Sequence, residues 1–283
     1  MTAPDMTRST AQNAQLALML EVSGTPKPGN VDREREYDDL KFEQFLAGAV
    51  GAFDGLSLAA DGEPVGRAFE RAVAGMSQQQ GGNTQFGALL LTTPLVAAAG
   101  EGALTRDNAE AVVTDTTVED AVNFYRAFEH VDVAVNDPPE GMEALDVRRG
   151  SDAAPAIRER GLTLGELMEE SAVNDGIAAE WSDGFSRTFE AATGLQESDG
   201  AVSNRASALF LALLASEVDT FVVTQHDTET ALEVRDRAQD VLAGDENPYE
   251  LAQELVEREI NPGTTADIVA GALFIALERG LSV

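Results

Sequence analysis

Glu21-Val22-Ser23-Gly24-Thr25-Pro26-Lys27-Pro28-Gly29-Asn30-Val31-Asp32 interrupts a helical pattern and organises what lies on either side of it. The run from Gln12 to Val22 has helical character and stops at Gly24, after which two prolines bracket one lysine. Proline fixes its own φ and pushes the preceding residue toward extended geometry, so Thr25 to Gly29 is expected to be a stiff, non-helical loop. Gly29 supplies a position where the backbone can turn without a Cβ in the way. Lysine is otherwise almost excluded: Lys27 and Lys41 are the only two. A lysine kept in a rigid loop between Glu21 and Asp32 has two readings, a phosphate ligand or a partner for a neighbouring carboxylate.

Outward from this stretch, nearly every segment carries a helical period, and the fold class expected is all-α, one compact domain over residues 1–283. Phe42, Phe45, Leu46, Ala49, Val50 and Phe53 recur three or four apart and predict one buried face. Pro64 opens a helix through Val65, Phe69, Val73 and Met76. Asn83 or Thr84 can cap the apolar run Ala88 to Ala99, which Pro94 is expected to kink or split. Asn136 to Gly141 reads as a turn and Asp146 to Arg160 as a charged connector. Asn204 to Ser216 is expected in the core. Asp219 to Thr224 alternates like a strand but suits a helical turn equally. Thr264 and Asp267 have the spacing of a capping box before an apolar final helix. His130 reads as a helix-terminal residue and His226 as part of a polar loop.

Charge narrows the partners. Nineteen basic against fifty acidic residues leave a net charge of −31 and a pI near 4.1. Such a field repels nucleic acid and anionic membranes. The acids are spread along the chain and arginine far outnumbers lysine, as in a surface adapted to molar salt, where the Debye length shrinks to about 3 Å. Without cysteine there is no disulfide or thiolate chemistry. Met1 to Thr10 lacks the order of a secretory signal, and no uncharged apolar run approaches the roughly 20 residues needed to span a bilayer. A cytoplasmic protein is expected. There is no Walker loop, dinucleotide fingerprint, zinc spacing or serine elbow. Catalysis would then fall to carboxylates, one or two cations and a hard metal such as Mg²⁺ bridging phosphates.

The order of the motifs carries a resemblance. Glu21 to Asp32, then Gly82-Asn83-Thr84 with Gly87, then Asp219-Thr220, then Asn261-Pro262-Gly263 with Ala266-Asp267 resembles the triphosphoribosyl-dephospho-CoA synthase family. The likeness spans nearly the whole chain and is densest at Pro26-Lys27-Pro28-Gly29 and Val31-Asp32. It implies an all-helical transferase that joins ATP, as substrate, to 3′-dephospho-CoA and releases adenine. It also implies small-molecule partners, a nucleotide and a phosphorylated acceptor; a homodimer is compatible with it. Glu21 and Asp32 are the implied electrostatic or basic groups, and Lys27 the neutraliser of triphosphate. Mg²⁺ would be held by some of Asp32, Asp39 and Asp175. Pro28, Gly29, Asn30, Asn83, Thr84, Gly87, Asn261, Gly263, Thr264 and Asp267 complete the implied nucleotide-binding set. The chain departs from the family pattern at Tyr37, where a histidine is common, and at Gln85-Phe86, where histidine and lysine are common. Two alternatives follow from the departures: another nucleotide- or phosphate-dependent enzyme on the same scaffold, or a non-catalytic coenzyme-binding protein.

Overall fold

A computed structural model describes residues 8–138 and 141–283; Met1 to Thr7, most of the polar amino terminus, and Pro139 and Glu140 of the expected turn lie outside the described residues. Within these residues the chain is all-α, with no strand. The helices are α1 (Thr10–Ser23), α2 (Phe42–Gly51), α3 (Phe53–Ala60), α4 (Val65–Met76), α5 (Phe86–Glu101), α6 (Arg106–Thr114), α7 (Val118–Ala127) and α8 (Ala154–Arg160). They continue as α9 (Leu164–Ser171), α10 (Gly176–Ser182), α11 (Ser186–Glu197), α12 (Val202–Ser216), α13 (Thr220–Gln225), α14 (Thr228–Ala243), α15 (Pro248–Glu257) and α16 (Gly263–Glu278).

Two apolar helices form the centre. In α16 every residue from Ile268 to Leu277 is buried, and α1, α5, α11 and α12 pack around it. In α5 the buried stretch runs from Ala88 to Ala98. Pro94 neither splits nor ends α5. Proline has no N–H for the carbonyl four residues back, and that carbonyl, on Leu90, accepts instead from the indole nitrogen of Trp181 at 3.1 Å. A tertiary donor thus replaces the missing helical one.

Other expectations change for similar reasons. Asp146 to Arg160 is mostly helical, a 3₁₀ segment at Val147–Ala153 leading into α8. The helix α12 buries Ala206, Phe210 and Leu214 but leaves Leu209 and Leu213 partly open, so it covers the core from one side. Val50, expected inside, is 59% exposed because α2 buries a narrower face, Phe45, Gly48 and Ala49. Asp219 to Thr224 resolves as helix, Asp219 capping α13 and the rest lying within it. Thr264 is not a cap: Pro262 occupies the cap position of α16, and Thr264 and Asp267 stand inside its first turns.

Candidate active-site cleft

The proline loop is built around one carboxylate. After α1 stops at Gly24, Asp32 accepts from the Thr25 hydroxyl at 2.9 Å and the Lys27 amide at 3.1 Å on one oxygen. Its other oxygen takes the amides of Glu34 and Arg35 at 2.8 and 2.9 Å. Asp32 is therefore fully engaged in holding the loop. Lys27 points inward, is 0% exposed, and donates to the Glu21 carboxylate and, at 2.8 Å, to Asn30 Oδ1. Its ammonium also lies 5.8 Å from the centre of the Phe210 ring. Burial pushes the Glu21 carboxyl above its usual range, and the Lys27 charge pulls it part of the way back.

This loop is tied to the far end of the chain. Asn30 donates to Asn261 Oδ1 at 2.8 Å, and the Tyr37 hydroxyl meets the carbonyls of Gly29 and Ile260. Gly29 has φ +74°, and a Cβ there would overlap the Ile260 carbonyl, so both its conformation and its space require glycine. Tyr37 thus joins the two segments by hydrogen bonds, and burial lifts its phenol above the ordinary tyrosine range.

Opposite the loop, the starts of α5, α10, α13 and α16 meet around a cleft of about 410 Å³. Asp175 caps α10, accepting from the Ile177 and Ala178 amides at 2.9 and 2.8 Å. Asp219 caps two helices at once. One oxygen takes the amides of Phe221 and Val222, and the other takes Thr265 through its amide at 2.8 Å and its hydroxyl at 2.7 Å. The Thr220 and Thr264 hydroxyls lie 3.0 Å apart beside it. Asp267 faces the start of α5, so close to Gly87 that a Cβ there would overlap its carboxylate. Burial, and the negative charges of Glu21, Asp219 and Asp175, hold the Asp267 carboxyl well above the usual range; the Ala88 amide offsets a smaller part.

Segments remote in sequence therefore share one cavity. Glu21, Asn30, Asn83, Thr84, Gly87, Asp175, Asn261, Gly263, Thr264 and Asp267 all line it. Lys27, Pro28, Gly29, Asp32 and Asp39 do not. Lys27 presents no cation to the cleft, and of its two readings the carboxylate partner is the one its contacts match. Asp39 is exposed on the surface, and no group of three acidic or histidine side chains able to hold a metal occurs among the described residues. Asp32, Asp39 and Asp175 are not brought together.

Three features of the cleft are not legible in the sequence. Asp219 reads there as part of a motif, and its role as a double cap appears only in the fold. The apolar half of the cleft, with Phe45, Phe124, Phe128, Leu145 and Met168, looks in sequence like ordinary core, because core and pocket walls share one helical period. The third is electrostatic: the lining has six carboxylates (Glu21, Asp137, Asp146, Glu170, Asp175, Asp267) and, among the described residues, no Lys, Arg or His.

An all-helical scaffold presents carboxylates into a cleft of about 410 Å³. The chain belongs to the ATP:dephospho-CoA triphosphoribosyl transferase (CitG) family, whose profile matches residues 7–282. Its fold is similar to the crystal structure of a protein from Archaeoglobus fulgidus provisionally assigned as a triphosphoribosyl-dephospho-CoA synthase. The two are 26% identical with a TM-score of 0.68, and the match covers 83% of this chain and 99% of the other. Comparison with curated proteins finds no match.

Proposed function

We propose that this chain transfers the triphosphoribosyl group of ATP to the 2′-hydroxyl of 3′-dephospho-CoA and releases adenine. Family membership supports the reaction, and the placement of Glu21 carries the assignment of its base. Glu21 lies in the cleft wall, 4% exposed, with Lys27, itself bonded to Asn30, fixing its position from behind. A carboxylate whose proton affinity is raised by burial is matched to accepting a proton from a sugar hydroxyl near neutral pH. Positive charge develops on the ribose ring as the base departs, as in glycoside cleavage, and an acid-lined cleft stabilises it. Lys27 acts as a positioning residue through Glu21. Asn83, Thr84 and Gly263 offer polar contacts to the nucleotide.

A cleft without cationic lining would repel free triphosphate. In this reading ATP would enter as its Mg²⁺ chelate, with phosphate oxygens as the main ligands, since no group of three acidic or histidine side chains able to hold a metal occurs among the described residues. The acid excess supports reading the enzyme as one that works in a salt-rich cytoplasm, and the connected core supports treating residues 1–283 as one unit. The test is chromatographic: adenine should accumulate from ATP and Mg²⁺ only when dephospho-CoA is present. No release, or release indifferent to the acceptor, overturns the reading. The cation-free lining favours one alternative, a substrate with fewer phosphates on the same scaffold, and turnover with such acceptors in place of dephospho-CoA separates it.

A further inference from the structure

Glu21, Asp175 and Asp267 line the cleft, Asp219 lies next to it, and the four are not equivalent. Asp219 has a donor pair on each oxygen. Asp175 has two amides on one oxygen. Glu21 is matched to an ammonium. Asp267 differs: it lies in the second turn of α16, lines the cleft, and abuts Gly87, and only the Ala88 amide among the described residues offers it relief. The charges it faces are Glu21 from α1, Asp175 from the start of α10 and Asp219 from the start of α13, all negative. The start of α5 contributes an amide, and no residue of α11 or α12 reaches the cleft wall. Lys27 neutralises Glu21 alone; with no cation beside Asp267 itself, this arrangement costs least when Asp267 carries a proton.

The geometry points to Asp267 as the acid that protonates the departing adenine, a role that rests on the triphosphoribosyl-transfer reading. The bond between the ribose anomeric carbon and adenine breaks with its electron pair leaving on the base, and the Asp267 proton passes to a purine ring nitrogen. The new bond forms between the anomeric carbon and the acceptor's 2′-oxygen, whose proton passes to Glu21. After release, solvent returns a proton to Asp267 and removes one from Glu21, so the cycle closes without any further reactant. Two carboxyls in one cavity thus divide the acid and base tasks by their surroundings, one paired with an ammonium and the other among like charges.

The test compares Asp267→Asn with the wild type on two donors. With ATP the substitution should slow adenine release about 100-fold or more, the usual worth of a positioned acid. It should also abolish the fall in rate with rising pH that the wild type shows as Asp267 loses its proton. With the triphosphate of nicotinamide riboside, whose pyridine leaves neutral and needs no proton, variant and wild type should differ less than about threefold. An equal penalty on both donors, or an unchanged alkaline limb, overturns the acid role. A wild type that releases no adenine overturns the transfer reading instead.

Thermal unfolding in molar salt supplies a readout independent of substrate. The folded carboxyl holds its proton to higher pH than the unfolded chain does, so the stability it contributes at low pH is lost as pH rises through the raised value. Asp267→Asn should therefore raise the unfolding midpoint at pH 8, with the gain fading toward pH 4. A gain absent at pH 8 also overturns the proposal.

Discussion

Asp32 is a buried aspartate and Asp267 a half-buried one on the cleft wall, and the regions around them differ in kind. Four donors converge on Asp32, so its charge is absorbed into the turn that it closes. Asp267 stands among three other carboxylates with one amide near it, so its surroundings favour a retained proton. The proline loop is thus a region where polar groups satisfy one another, and the wall of helix starts is one where they do not. The contrast teaches that a buried acid becomes a framework element or a reactive group according to how many donors it meets. Glu21 bridges the two regions, its back to Lys27 and its face to the cleft.

The largest break should come at the framework. Asp32→Ala orphans four donors at about 1–3 kcal/mol each when no water replaces the carboxylate, so a loss on the order of 5 kcal/mol is expected in denaturant unfolding. A loss below about 1 kcal/mol would mean that the loop does not depend on Asp32. Next, Lys27→Met leaves Glu21 buried without its partner and should cost about 3–5 kcal/mol. The double variant with Glu21→Gln should recover most of that stability while remaining inactive. Removing Lys27 also removes the influence that lowers the Glu21 carboxyl, so the acidic limb of the rate profile should move to higher pH in whatever folded single variant remains. A limb that stays in place would separate Lys27 from the base. Gly87→Ala should have the smallest effect: crowding the Asp267 carboxylate costs about 1–3 kcal/mol, partly offset by the helix preference of alanine. Its sharper signature is a change in the alkaline limb, which an ordinary packing defect would leave alone.

Much of the architecture could be read from helical spacing, because amphipathic faces such as those of α4 and α7 repeat at the interval that buries them. What escaped depended on partners distant in the chain. Pro94 could not be known to pass through a continuous helix until Trp181 was seen to take up the stranded carbonyl of Leu90. The capping box suggested by Thr264 and Asp267 dissolved because the helix already begins at Gly263, and Asp219, forty-six residues before Thr265, takes that residue's amide and hydroxyl. In the site, the order of motifs brought Glu21, Asn83, Thr84 and Asp267 to one cavity, yet spacing could not say which way Lys27 faces. A lysine flanked by prolines looks the same in sequence whether it reaches solvent or a buried glutamate. The cation-free lining was hidden for a related reason: it is a property of which side chains meet, and acids scattered over a chain this acidic give no local sign of it.

The indole that relieves Pro94 has a practical corollary. Trp181 is the only tryptophan in the chain, fully enclosed, and it belongs to the short helix whose first residues form part of the cleft wall. Selective excitation near the red edge of its absorption therefore interrogates one chromophore at one joint, between α10 and α5. Any rearrangement of that joint on nucleotide entry writes itself into emission wavelength and quenching, so the molecule carries a built-in optical gauge that needs no label.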